Sequence, residues 1–217
     1  MRHMELFNPY EFRIPIHIIG VGATGSFTAC ALSKMGIREI NVYDFDIVEE
    51  HNFYNQLYTR DKVGKFKVDA CAEMLDNIIP HNKRVCKDTV KRMSGIIIIM
   101  VDSMRVRKEL FEGIKENPNL VMMLDARMGA KSFDLYEYHM MDINSKYAGT
   151  LYDDDAAETT ACGEVLSIVG TAMNIASAVS WRIINLHNYT SLPCGVAFSM
   201  THEKSLVIDN NVVIHSS

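Results

Sequence analysis

The sequence predicts an α/β protein of Rossmann type. Its sheet is expected to be mostly parallel, with helices on both faces and an antiparallel portion near the C-terminus. Three observations predict it. The apolar run RIPIHII at 13–19 leads directly into GVGATGS and then into a stretch of small and apolar residues. A second run, REINVYD at 38–44, alternates and ends in an acid, which completes a βαβ unit. The runs IIIIMVD at 96–102 and LVMMLDA at 120–126 are continuously apolar, as strands buried on both faces of a parallel sheet must be.

The elements follow in order. Residues 26–36 read as a helix stopped by Gly36, since glycine tolerates the left-handed turn that ends a helix. Residues 45–62 are polar and aromatic, an extended loop. Residues 64–79 carry Phe66, Ala70, Met74, Leu75 and Ile78 at helical spacing, with Pro80 as the stop. Residues 83–90, with Val85 and Val90, are expected to form a strand. Residues 104–116 form a helix ending near Pro118. FDLYEYHM at 133–140 alternates as an antiparallel strand. Residues 141–163 are acidic, small and irregular, a loop. Residues 164–186 form a long, mostly apolar helix. VAFSM and SLVIDNNVVI close the chain as a hairpin around Asn210 and Asn211.

Composition narrows the function classes. The 217 residues correspond to one large domain spanning 1–217, long enough to bury a core without staples. Lys plus Arg is 22 against 27 for Asp plus Glu, a net charge of −5, which argues against a partner bound chiefly through a nucleic-acid backbone. No run of 18 apolar residues suggests a membrane span, and no secretory signal is visible at the N-terminus. Five cysteines, at 30, 71, 86, 162 and 194, are odd in number and widely spaced, without a CxxC. They favour a reducing, cytoplasmic setting and argue against structural zinc.

Gly20, Gly22 and Gly25 form G-x-G-x-x-G between a strand and a helix. The first permits a tight turn. The second lets a phosphate approach the backbone, and the third lets helix and strand pack closely. The phosphate would sit on N–H groups at a helix N-terminus, where the dipole favours it. Asp44 ends the next strand, where a carboxylate can accept ribose hydroxyls. Ser26 could add a hydroxyl to a phosphate or start the helix. At this point NAD, FAD and ATP are not distinguished.

The next residues narrow the choice. Asp44, Asp46, Val48, Asn52, Gln56, Gly64 and Lys67 stand in YDFDIVEEHNFYNQ and DKVGKFKVD at spacings that resemble the ThiF/MoeB/HesA superfamily, the ubiquitin-activating-enzyme-like adenylyltransferases. The resemblance continues through MVDSMRVRKEL. More loosely it extends into LDARMGA and the 147–179 stretch, which looks like a small bacterial or phage-type branch. It implies attack of a carboxylate on the α-phosphate of ATP, with pyrophosphate leaving. The substrate implied is the C-terminus of a small ubiquitin-like or sulfur-carrier protein. Such a step asks the protein for positioning and charge stabilisation more than for covalent chemistry. By resemblance, Asp44 would hold the ribose, Asn52 and Gln56 would orient the phosphates, and Lys67 would face them. Asp102 would be the acid associated with Mg²⁺, and two-fold dimers are implied. Read from the residue alone, Asp102 could equally cap the helix that follows it.

The sequence also departs from the family pattern. Asn55 stands where the family has an arginine beside Gln56, and the paired CxxC zinc motifs are missing. Arg127, beyond a buried strand, is a candidate replacement cation. Cys162 lies near where family members with thiol chemistry place a nucleophile, but its neighbours supply no base or cation. Asp153, Asp154 and Asp155 could attract Mg²⁺ or form a solvated loop. His17, within a buried strand, is expected to be a hydrogen-bonded core residue. Two readings from other classes stand beside adenylation: a non-catalytic nucleotide-binding half that needs a partner, and an NAD- or FAD-dependent oxidoreductase.

Overall fold

The computed structural model describes residues 4–129, 132–140, 145–152 and 168–188, and the strand backbone within 197–215. Cys162 and Asp153 to Asp155 lie outside the described residues.

The first half is an alternating α/β run. It comprises β1 Ile16–Ile19, α1 Ala23–Lys34, β2 Ile40–Asp44, α2 Lys67–Met74, β3 Ile78–Asn82, α3 Lys87–Val90, β4 Gly95–Ile99 and α4 Met104–Ile114. Then come β5 Leu120–Met128, β6 Ser132–Tyr138, α5 Val169–His187, β7 Ala197–Thr201, β8 Ser205–Asp209 and β9 Val212–His215. The strands form one sheet in the order β3-β2-β1-β4-β5-β6-β7-β8-β9. The pairs from β3 to β5 are parallel and those from β5 onward antiparallel. That is the expected α/β sheet with its antiparallel C-terminal portion.

Strand periodicity sorts the core into two layers. Ile16, Ile18, Ile96, Ile98, Met122 and Leu124 pack with Ala29 and Leu32 of α1, Val68 of α2 and Ile175, Val179 and Ile183 of α5. Their neighbours Ile19, Ile97, Ile99 and Met123 point the other way, onto Leu110, Phe111 and Ile114 of α4 and Val90 of α3. Cys71 lies in the first layer, where burial pushes its thiol up to about 12, so it packs as a small apolar side chain. α1 ends as its glycine demands: Gly36 has φ +84°, and Ile37 N–H donates back to Leu32 O at 3.3 Å.

Two expected elements are corrected. The helix expected over 64–79 covers only Lys67–Met74, and Ile78–Asn82 is a strand that contains Pro80. β3 is an edge strand paired to β2 alone, which is where a sheet tolerates a residue without an N–H. The strand expected over 83–90 is instead the short helix α3. Val85 and Val90 are both buried, but against α4 rather than in the sheet.

His17 is the hydrogen-bonded core residue expected. Its Nε2 faces the Ser94 carbonyl at 3.1 Å and must carry the proton, so Nδ1, at 3.1 Å, accepts from the Tyr43 hydroxyl. Burial keeps this imidazole neutral by lowering its pKa.

A second histidine does the opposite. His139 faces Glu137 Oε1 through Nε2 at 2.5 Å and the Val121 carbonyl through Nδ1 at 3.1 Å. Both contacts are best made by a donor, so the ring is an imidazolium. The Glu137 hydrogen bond raises its pKa against the opposing effect of burial. Burial also opposes ionisation of Glu137, but His139 and Arg182 of α5 outweigh it and hold that carboxyl low. A group with a raised folded pKa stabilises fully below its unfolded value of about 6.5 and stops doing so as pH rises through the folded value. The wild type is therefore expected to lose stability relative to His139→Gln as pH rises from 6 to 8. Urea unfolding at the two pH values measures it. Taking the difference between the two proteins removes His17 and His81, whose lowered pKa values act in the opposite sense. Parallel pH profiles would remove the imidazolium.

Candidate functional site

The C-terminal ends of β1, β2 and β4 lie side by side, and three of the expected motifs meet there. Gly20 N–H donates to Tyr43 O at 2.8 Å and Met100 N–H donates to Ile19 O at 2.8 Å. The glycine loop, Asp44 and the turn carrying Asp102 therefore form one continuous edge, where open α/β sheets bind ligands.

The three glycines have different tasks. Gly20 sits at φ +93°, and a Cβ there would meet Met100 O at 2.7 Å. A Cβ on Gly25 would lie 1.9 Å from Gly20 O, so helix α1 can reach the loop only without a side chain. Gly22, the residue before α1, has no atom within 4 Å of its would-be Cβ. Packing therefore dictates the outer two, and only the middle one faces open space.

The loop is braced from both sides at Val21. Asp44 Oδ2 accepts from Val21 N–H at 2.8 Å, and the Tyr58 hydroxyl donates to Val21 O at 2.7 Å. Asp44 Oδ1 also accepts from Asp46 N–H at 3.0 Å. Each carboxylate oxygen retains a further lone pair toward the edge. Tyr58 is buried, and that burial pushes its phenol pKa up, so it stays a neutral donor.

Lys67 opens α2 and is 8% exposed. Its Nζ pairs with Asp46 Oδ2 at 3.0 Å, and its N–H donates to Asp46 O at 2.9 Å. Asp46, Asn52 and Lys67 line one cavity of about 410 Å³ together with Phe45, Ile47, Glu49 and His51. The structure thus gathers three of the expected residues around one space. Gln56 is not in that lining, but its Oε1 is buried and accepts no hydrogen bond among the described residues.

Asp102 is exposed on the turn between β4 and α4. It does not cap α4, because Ser103 does: its Oγ accepts from Val106 N–H at 3.3 Å.

Three of the expected site residues are engaged by partners within the protein. Ser26 is fully buried; its hydroxyl donates to Ala23 O at 3.4 Å and accepts from Leu57 N–H at 3.1 Å. It clamps the loop after β2 instead of meeting a phosphate. Asn52 accepts from Glu49 N–H at 2.9 Å through Oδ1, within a reciprocal capping box. That oxygen shapes the 50–54 turn. Arg127 donates through Nε to Asp125 at 2.8 Å and to Thr150 O and Oγ1 at 2.6 and 3.0 Å, and it stacks on Tyr136. It is held inside the protein and does not replace the cation missing at Asn55.

A buried ionic hub escaped the sequence reading. Asp125 is fully buried and binds Arg107, Arg127 and the Tyr147 hydroxyl, the last at 2.9 Å. An acid and a base inside LVMMLDAR were the available signal, since charges enter a buried strand only when paired.

Comparison with known proteins agrees with this geometry. The ThiF family model matches residues 12–108. Ubiquitin-like modifier-activating enzyme 5 of Drosophila ananassae is 36% identical over 137 residues, covering 59% of this chain and 33% of that protein. Its counterpart in Drosophila grimshawi is 37% identical over 92 residues, covering 41% of this chain and 22% of that protein. The chain thus spans about a fifth to a third of the length of these curated relatives. Among solved structures, E. coli MccB superposes with a TM-score of 0.72 at 15% identity, over 93% of this chain and 63% of that one. E. coli tRNA N6-threonylcarbamoyladenosine dehydratase, TcdA, in complex with AMP, superposes with a TM-score of 0.64 at 17% identity, over 88% and 90%. The segment matched by the ThiF family model holds the glycine loop, Asp44, Lys67 and the Asp102 turn, and over that segment this chain is similar to the ThiF family.

Proposed function

We propose that the chain binds ATP at the C-terminal edge of β1, β2 and β4 and adenylates a carboxylate. The observation that carries this reading is Gly22, which faces open space at the N-terminus of α1 while the glycines on either side are closed by packing. There the first N–H groups of α1 receive the phosphates, with the helix dipole behind them. Asp44, already bonded to the loop, offers its second lone pairs to the ribose. Lys67 exchanges its Asp46 partner for phosphate oxygens, as a cation on the helix beside the cavity can. The buried Gln56 amide supplies an oriented dipole.

Mg²⁺ fits the residues present. It commonly binds through one or two carboxylates and the nucleotide's own phosphates, and Asp102 is an exposed carboxylate at this edge. Among the described residues no ready-made cluster of three ligands exists, so Asp102 would hold the ion together with the phosphates. When bound, the ion supplies charge neutralisation on the leaving pyrophosphate. Every other contribution is positional: the chain aligns the α-phosphate for in-line attack and holds the departing oxygens.

The carboxylate belongs to the C-terminus of a small ubiquitin-like or sulfur-carrier protein in this reading. The support is the name of the relatives, ubiquitin-like modifier-activating enzymes, and E. coli MccB solved with AMPCPP and MccA. Residues 1–217 act as one adenylation unit, in the cytoplasm. The competing reading, a nucleotide-binding half without turnover of its own, is favoured by Asn55 together with the internal engagement of Arg127. Carboxylate-dependent exchange of pyrophosphate into ATP separates the two. Binding provides a second check. Lys67→Ala is expected to weaken ATP roughly ten- to a hundredfold while sparing adenosine, and Asp102→Asn to remove the Mg²⁺ dependence of ATP binding. Equal losses of both ligands in isothermal titration would reassign these residues.

We also place the chain in a homodimer. α5 leaves Val169, Met173 and Trp181 on one exposed stripe, with Met173 55% and Trp181 51% accessible. A two-fold contact is the commonest way to cover such a face. It would let an N-terminal arginine of a second copy supply the cation that Arg127 does not. Light scattering at micromolar concentration is expected to give twice 24.6 kDa, and a single-chain mass would remove the dimer.

A further inference from the structure

The hub around Asp125 is costly. It takes two guanidiniums and one carboxylate out of water, a net charge of +1 inside the fold, where apolar side chains would pack as well. What the arginines hold with their other nitrogens gives it a purpose. Arg107 Nη1 binds Asp125, while Nη2 donates to Val101 O and, at 3.0 Å, to Ala126 O. Val101 is the residue before Asp102. On the other side Arg127 binds Asp125 and donates two bonds to Thr150, which ends the turn Tyr147–Thr150. Tyr147 closes the circle through its hydroxyl on Asp125 and ring contact with the Arg127 guanidinium, 5.5 Å away. An unbroken chain of charged and hydrogen-bonded groups thus runs from Val101 through Arg107, Asp125 and Arg127 to Thr150.

We propose that Arg107, Asp125 and Arg127 are a positioning relay that couples the seating of the 147–150 turn to the placement of Asp102. None of the three touches the open edge, so they act through the turn they hold. The proposal deepens the nucleotide-site reading and rests on it for its functional consequence. The mechanical coupling itself does not depend on any ligand. The geometry gives the relay two discrete ends, each fixed by a planar fork that a single ammonium cannot reproduce. Arg107 stays cationic at neutral pH, since burial lowers its pKa only to about 10, and both Tyr147 and Asp102 favour its charge.

The test uses the full chain with Arg127→Lys, which keeps the charge and loses the fork, and Thr150→Val, which removes one hydroxyl at the far end. Hydrogen exchange is followed at 145–152 and at Val106 and Arg107, whose N–H groups bond Ser103 in the Asp102 turn. Both variants are expected to speed exchange at both places, by about tenfold at the distant one for Arg127→Lys. Faster exchange confined to 145–152, or none anywhere, would overturn the relay. In parallel, ATP affinity in Mg²⁺ is expected to fall about tenfold in Arg127→Lys with adenosine affinity unchanged. An equal fall of both ligands would mark the hub as merely structural. If the wild type binds no ATP, the nucleotide reading fails while the exchange result still decides the relay.

Discussion

Asp125→Ala is expected to destabilise the protein by about 3–5 kcal/mol. The substitution leaves Arg107 and Arg127, 4% and 8% exposed, without the carboxylate that both bind, and it removes the acceptor of the Tyr147 hydroxyl. Two like charges then face each other inside the fold, and desolvation is no longer offset. For a chain of this size the loss corresponds to a melting temperature lower by roughly 6–20 °C. Asp125→Asn keeps the shape and one acceptor oxygen, so it should fall between the wild type and the alanine variant. Arg107→Met removes one of the two charges and leaves a one-to-one pair, and it should cost less than Asp125→Ala. Urea unfolding of the three variants gives the order. A cost below about 1 kcal/mol for Asp125→Ala would mean that water enters and screens the arginines.

This hub shows where reading the sequence stops. The runs IHII, IIIIM and LVMML are apolar on every residue, so their burial in a parallel sheet follows from composition alone. Strand order follows less directly: β1, β2 and β3 lie in succession, but the chain then crosses back to place β4 beside β1. β3 was hidden for a different reason. Ile78 continues the helical spacing of α2, and Pro80 looks like a stop, yet the helix already ends at Met74, where Leu75 turns extended, and an edge strand admits the proline. Local period cannot see that β2 has a vacant edge. Nor can it see that Asp125 and Arg127, two apart on one strand, meet an arginine from a helix that comes earlier in the chain.

The site divides in the same way. Spacing identified residues that approach one another: the glycines, Asp44, Asp46 and Lys67. It did not identify which partner uses each lone pair. Ser26 and Asn52 carry polar groups suited to phosphates, but both groups are engaged by backbone N–H groups of the loop, at Leu57 and Glu49. Tyr58 had no motif to announce it, although it holds Val21 as firmly as Asp44 does. Small polar side chains near a turn have local backbone partners available before any ligand arrives. A role as ligand is therefore best assigned to groups left over once the turn is satisfied. Gly22 and Asp102 meet that condition, and Lys67 meets it if Asp46 yields.

Gly22→Val is expected to abolish ATP binding while leaving the fold intact. The two halves of that statement have separate causes. Nothing in the protein lies within 4 Å of a Cβ at Gly22, so the folded chain has room for the side chain. The space the isopropyl group enters is the approach to the first N–H groups of α1, where a phosphate must come within hydrogen-bonding distance of the backbone. Gly25→Ala is the contrasting variant. Its Cβ would stand 1.9 Å from Gly20 O, so α1 and the loop must separate and the whole edge is disturbed. Gly25→Ala should lower the melting temperature and weaken every ligand, whereas Gly22→Val should melt near the wild type and lose ATP by more than about a hundredfold, some 2.7 kcal/mol. Isothermal titration beside thermal unfolding reads both effects. A Gly22→Val protein that binds ATP with unchanged affinity would move the phosphate site away from the glycine loop.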